Sequence, residues 1–220
     1  AANTIGEQNT AIGSKALYAN STGFYNSAVG SGALTSNTTG SYNAANGTGA
    51  LLTNTTGDAN TSSGFNSMIG NVSGNGNIAY GAGALTSNSA GNSNSAAGTN
   101  SLFNNQSGNS NVAVGVAALY NTGNRSNLAA VGDSALYNNG VGAVNPYEAT
   151  ANSAFGSKAL YANTTGYYNT ATGSNALKNN TTGIQNTANG TGALFTNTTG
   201  GANTATGLNA LFQNSTGNNN

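Results

Sequence analysis

Side chains able to make or break bonds are scarce in this chain of 220 residues. It contains no His and no Cys, and its charged side chains amount to Glu7, Asp58, Asp133 and Glu148 against Lys15, Arg125, Lys158 and Lys178. A Ser or Thr hydroxyl becomes a nucleophile only beside a base, and here that base would have to be a Lys or an unusual acid. No Ser stands out from its surroundings to mark such a role. The carboxylates are dispersed, so none forms the close pair that acid–base work on a glycoside requires. Calcium-binding β-roll repeats carry an Asp at every turn, whereas these turns carry Asn and Thr and offer a cation no charge. Without Cys there is neither a disulfide nor a thiolate metal site. The expectation is no enzyme, no cofactor and no metal. What remains is amides, hydroxyls, ten Tyr and six Phe, which is the chemistry of hydrogen bonding and ring stacking.

Charge narrows the partners. Charged residues make up 4% of the chain and sum to zero, against about 25% in ordinary domains. That leaves no electrostatic footprint for nucleic acid or an anionic membrane surface. The longest apolar stretch runs from Val112 to Leu119 and is interrupted by Gly115, far short of the roughly 20 residues a spanning helix needs. Disorder is disfavoured because apolar residues recur on a fixed beat at zero net charge. The sequence opens at Ala1 without Met and stops where another coil would begin, so it reads as an excerpt or processed product of a longer chain.

Something must position these amides and rings, and it is a repeat. From Asn9 the chain reads NTAIGSKALYANSTGFY, from Asn26 NSAVGSGALTSNTTGSY, and from Asn43 NAANGTGALLTNTTGDA. The period is seventeen residues, with consensus N-[TS]-A-x-G-[ST]-x-A-L-x-x-N-T-T-G-x-x over twelve coils. Position five is Gly from Gly13 to Gly132 and again from Gly156 to Gly207; position nine is Leu in eleven coils and Met68 in the other. Ala at position three (Ser62 once) and Ala or Ser at position eight accompany that Leu. Uniform small residues beside a uniform Leu suit a narrow solenoid interior, where each position stacks on itself. The fold expected is a parallel β-solenoid.

Within a coil, N-T-A-x-G alternates, so Ala and Gly share one face of a short strand. The next segment does not alternate. Adjacent small and Leu residues at positions eight and nine both read as buried, which a helical turn, a tight corner or a second bent strand would allow. Ser, Thr or Asp at position six in eight coils, such as Ser14, Thr48 and Asp133, resembles an N-cap. Gly at position fifteen, as at Gly23 and Gly166, suits a positive φ that ends the turn. Asn at positions one and twelve fits amide ladders at the corners, or simply turn geometry.

A longer period overlies the short one. SKALYAN occurs at 14–20 and 157–163, and GTGAL at 47–51 and 190–194, both offset by 143 residues. That offset equals eight coils plus a seven-residue insertion. The organisation expected is one continuous repeat domain: coils over 1–140, an insertion loop at 141–151, and coils over 152–220. Asn145, Pro146, Tyr147 and Glu148 form the candidate binding loop, a scar of the duplication being the alternative. A second irregular spot is NTGNRSN at 121–127. A narrow interior offers little apolar surface to offset the ordering of each coil. Residues following the Leu, namely Tyr18, Phe103, Tyr120, Tyr137, Tyr161, Phe195 and Phe212, are therefore candidates for a seam between chains.

NTAIG at Asn9, NSAVG at Asn26 and NVAVG at Asn111 resemble the head repeats of trimeric autotransporter (YadA-like) adhesins. They equally resemble the Asn-Thr-Gly-rich repeats of phage tail-fibre shafts. The resemblance covers nearly the whole chain but rests on a five-residue motif, and the ALxxNTTG part has no counterpart in the adhesin heads. It implies a left-handed parallel β-roll, three chains side by side, on a cell or virion surface. The function expected is a structural fibre, filament or adhesin segment, extracellular, partnered by itself as a homotrimer or end-to-end filament, and open to a surface receptor or glycan. The alternatives are an ice- or surface-binding solenoid, or a monomeric spacer. The Thr pairs 38–39, 55–56, 164–165, 181–182 and 198–199 read as turns rather than a flat Thr array, since adjacent strand residues point oppositely. Asn20, Asn37, Asn54 and Asn163 open glycosylation sequons.

Overall fold

A three-residue strand is all that each coil can form, because only its first five positions alternate. The computed structural model describes residues 5–220, which divide into compact units ending at Ser110 and starting at Asn111. In the first, β1 (Thr10–Ile12), β2 (Ser27–Val29), β3 (Ala44–Asn46), β4 (Thr61–Ser63), β5 (Ile78–Tyr80) and β6 (Ser95–Ala97) pair in sequence order, all parallel. In the second, β7 (Val112–Val114), β8 (Ala129–Val131), β9 (Ser153–Phe155), β10 (Thr170–Thr172), β11 (Thr187–Asn189) and β12 (Thr204–Thr206) do the same. Within each unit successive coils meet at the same repeat position, Ala28 opposite Ala45 and Ala130 opposite Ala154. The insertion therefore leaves the register intact. Each unit is a parallel β-solenoid, with no helix among the described residues.

The segment after the strand is a run of tight turns, not a helical turn, so position six caps nothing. In the second coil Ala33 N–H donates to Gly30 O (3.3 Å) and Asn37 N–H to Leu34 O (3.2 Å). Positions seven and nine both take positive φ, as at Lys15 (59°) and Leu17 (50°), or Lys158 (57°) and Leu160 (51°). A left-handed residue in third place is what a type II turn requires. It also swings Leu inward beside the small residue preceding it, which no strand allows. A non-Gly residue there costs roughly 1–2 kcal/mol. Coil-to-coil backbone bonds oppose that cost: Leu34 N–H to Ala50 O (3.1 Å), Ser36 N–H to Leu52 O (3.0 Å), and in the other direction Gly47 N–H to Val29 O (2.8 Å).

The two recurrent glycines serve different ends. Gly47, at position five, has φ +138°, and a Cβ on it would lie 2.5 Å from Gly64 O. Gly40, at position fifteen, lies outside the left-handed region, so the positive φ expected there is absent. Its Cβ would lie 2.5 Å from both Asn37 Oδ1 and Gly57 O. That glycine answers to crowding, not to conformation.

The interior holds more than Leu and Ala. Leu34, Leu51, Met68, Leu85 and Leu102 in one unit, and Leu119, Leu136, Leu160, Leu177 and Leu194 in the other, are fully buried. So are the Asn side chains of positions one and twelve, such as Asn60, Asn71, Asn169 and Asn180. They form two amide ladders. Asn54 Nδ2 donates to Asn37 Oδ1 (2.8 Å) and to Gly57 O (3.0 Å). Asn43 Nδ2 donates to Asn26 Oδ1 (3.2 Å) and to the same Gly57 O (2.8 Å). The position-fifteen carbonyl thus joins the ladders within every regular coil, and both amide protons are used. The amides lie inside the solenoid instead of decorating its corners. The sequon residues Asn20, Asn37, Asn54 and Asn163 belong to this set and are buried, out of reach of a glycan in the folded chain.

Departures from the repeat are compensated locally. Ser62 and Ser67 replace two interior Ala in one coil and hydrogen-bond each other through their hydroxyls. Leu128 replaces a ladder Asn, and beyond it Asn139 Oδ1 accepts from both Asn152 (3.1 Å) and Asn163 (2.9 Å). Arg125 O and Ala149 O stand in for the missing glycine carbonyls, accepting from Asn111 and Asn139 at 2.8 Å.

Candidate functional site

Three outer surfaces are left once the interior is assigned. Among the described residues, no three His, Cys, Asp or Glu lie together as metal ligands, and no helix is long and apolar enough to cross a membrane.

The first surface is the row of position-ten side chains following the buried Leu. Tyr18 is exposed, whereas Phe103 is half-buried and shares a groove of about 300 Å³ with Phe65 and Ile69. Tyr120 and Tyr137 stack with centroids 4.9 Å apart and planes 7° from parallel; Tyr137 and Tyr161 stack at 5.2 Å and 17°. Phe195 and Phe212 stack at 4.9 Å and 5°, with Lys178 Nζ 5.3 Å above the Phe195 ring. The coil spacing puts rings of one register at van der Waals distance, so stacking follows from the repeat. Burial by neighbouring rings raises the Tyr137 pKa, and the phenols of Tyr120 and Tyr161 raise it further, because ionising one oxygen beside two others is costly. Five of the seam candidates, Tyr120, Tyr137, Tyr161, Phe195 and Phe212, therefore stack along the coil axis with their outer edges still accessible.

The second surface is the insertion loop. Glu148 does not point into solvent as a ligand would. Its Oε2 accepts from the backbone N–H of Val144 (2.7 Å) and Asn145 (3.0 Å), and its Oε1 from Asn145 Nδ2 (2.8 Å). These bonds, the Asn145 side chain foremost, hold the carboxyl below its ordinary pKa. Asn145 and Glu148 therefore tie the loop, and what it presents outward is Val144, 85% exposed, together with Pro146 and Tyr147. The Tyr147 ring meets Tyr167 edge-on at 5.6 Å, and Tyr167 meets Tyr168 likewise at 5.3 Å. A Cβ on Gly140 would lie 3.3 Å from Arg125 Cγ. Arg125 of the irregular segment 121–127 thus lies beside Gly140, just before the insertion loop, and its charge adds to the lowering of the Glu148 pKa, a proximity that separation in sequence concealed.

The third surface escaped the sequence reading: positions two and four of the strands. Burial alternates about the buried Ala, so these residues face outward in two ranks. Val29, Tyr80, Val112, Val114, Val131 and Phe155 are exposed there, and near the C-terminus the ranks become Thr170, Thr172, Thr187, Thr204 and Thr206. Strict alternation of N-T-A-x-G was the available signal. The Thr pairs at the corners behave otherwise. Thr38 Oγ1 donates to Thr55 O and Thr181 Oγ1 to Thr198 O, both at 3.0 Å, so the first hydroxyl of each pair is committed to the next coil.

No family model matches the chain, and no curated protein or solved structure is significantly similar to it.

Proposed function

We propose that this chain is a non-enzymatic structural segment of a surface fibre or adhesin. Its task is to extend and to present side chains, not to transform a substrate. The single observation that carries the reading is the pair of buried amide ladders, joined in each regular coil through one glycine carbonyl. Each such coil is bonded to the next through backbone and side chain alike, an arrangement suited to transmitting load along a stack. Self-association through the half-exposed aromatic row completes the proposal, as a parallel homotrimer or an end-to-end filament outside the cell or on a virion. The loop at Val144–Tyr147 is the place for contact with a receptor or glycan, because it is the outermost departure from the repeat.

Sedimentation of the 220-residue chain at micromolar concentration is the test. A discrete trimer or a length-wise polymer is expected. A well-folded monomer with Tyr18 and Tyr161 open to solvent overturns the fibre and leaves a spacer. A second reading, binding to ice or another crystalline surface, is favoured by one observation: Thr170, Thr172, Thr187, Thr204 and Thr206 share the outward face of three paired strands. It predicts that Thr187→Tyr, which would stand above the flat rank, abolishes adsorption without affecting folding.

A further inference from the structure

We infer that the stacked tyrosines of successive coils, Tyr120, Tyr137 and Tyr161, form a built-in site for oxidative dityrosine cross-linking, a covalent staple between coils. The inference needs only the ring geometry and holds whether or not the chain is a fibre. Coupling of two phenoxyl radicals joins ring carbons ortho to the oxygens. It is efficient when the rings already lie near one another, because radical lifetime then exceeds the time needed to meet. Tyr137 lies between two near-parallel rings at 4.9 and 5.2 Å. All three side chains are half-exposed, so an oxidant can reach their edges. A like pair exists in the other unit, where Tyr25 and Tyr42 stack at 5.3 Å with planes 10° from parallel.

The chemistry balances with hydrogen peroxide and a haem peroxidase as oxidant. Each phenol gives up one electron and one proton; the radicals form a carbon–carbon bond, and both rings regain aromaticity by moving the ortho hydrogens to oxygen. Two tyrosines and one peroxide yield one dityrosine and two waters. A chain without Cys has no disulfide to close such a link, and the staple would occupy that role.

The placement of cations makes the test direct. Cleavage after Arg125 and Lys158 puts Tyr120, Tyr137 and Tyr161 on three different tryptic peptides. The dilute protein is treated with peroxidase and peroxide, denatured, digested and analysed by mass spectrometry. The expected product joins peptides 16–125 and 126–158 with the loss of two hydrogens and shows dityrosine fluorescence. In Tyr137→Phe, which keeps the ring stack and is checked for folding by circular dichroism, that product should fall at least tenfold. Persistence of the join in Tyr137→Phe assigns it to other tyrosines and overturns the inference. Absence of the join in the folded wild-type protein, under conditions that couple free tyrosine, overturns it as well.

Discussion

At the scale of the residue, the unusual feature is a buried Asn that behaves as a core residue. Asn88 Nδ2 donates to Asn71 Oδ1 and Gly91 O, while its Oδ1 accepts from Asn105. Truncating it orphans groups that water cannot reach, each costing about 1–3 kcal/mol. Asn88→Ala should therefore destabilise far more than Thr39→Ala on the exposed corner, where about 0.5 kcal/mol or less is expected; urea unfolding followed by circular dichroism measures both. The glycines offer a sharper comparison. Gly47→Ala drives a methyl into Gly64 O at a φ of +138° and should prevent folding of its coil. Gly123 is left-handed too, at φ +58°, but a Cβ on it meets nothing, so Gly123→Ala should cost only about 1 kcal/mol. Equal effects would show that conformation alone, and not stacking, selects glycine here.

Among elements, the aromatic row and the insertion loop each carry a titration with a definite sign. The Tyr137 phenol is raised in the folded chain, chiefly by burial and then by Tyr120 and Tyr161. Its neutral form is thus favoured: the associated stability is complete below the ordinary Tyr pKa and is lost as pH rises through the raised value. Ultraviolet titration should show a late-ionising tyrosine component that is missing in Tyr137→Phe. Glu148 is lowered, first by the Asn145 side chain. The order it lends the loop is present above the ordinary carboxylate range and fades as pH falls through its lowered pKa. Protection of the Val144 and Asn145 amides from hydrogen exchange, measured against their intrinsic rates at each pH, should fall on that acid limb, and Glu148→Gln should show the lost protection already at neutral pH. No change in either amide would mean that the Glu148 carboxylate does not hold the loop.

For the molecule as a whole, each coil gains its partners from the coils beside it, so damage should spread along the stack. Leu119 is fully buried, so Leu119→Asp places a charge out of reach of water and should unfold the unit that starts at Asn111. Thr39→Asp is the matching surface control and should be close to neutral. Thr38 cannot serve, because its hydroxyl bonds to Thr55 O and a carboxylate there would face that carbonyl. Calorimetry of the two variants separates the outcomes. Equal tolerance would mean that inside and outside have been exchanged.

The repeat, its seventeen-residue period and the parallel solenoid were legible in sequence, because stacking like on like forces every interior position to be uniform. Position nine could be read as core and positions three and eight as small for the same reason. The register across the insertion also followed, since Gly156 resumes the beat that Gly132 left. Backbone conformation was not legible. Nothing in the letter Leu announces φ near +50°, and only the closed turns with their coil-to-coil bonds make it affordable. The amide ladders were legible as ladders but not as interior, because Asn suits a solvated turn equally well until both its protons find buried acceptors. Tertiary structure alone also brought Arg125 beside Gly140 at the start of the insertion and turned Glu148 from a candidate ligand into a tie, for contacts between irregular segments leave no period to read.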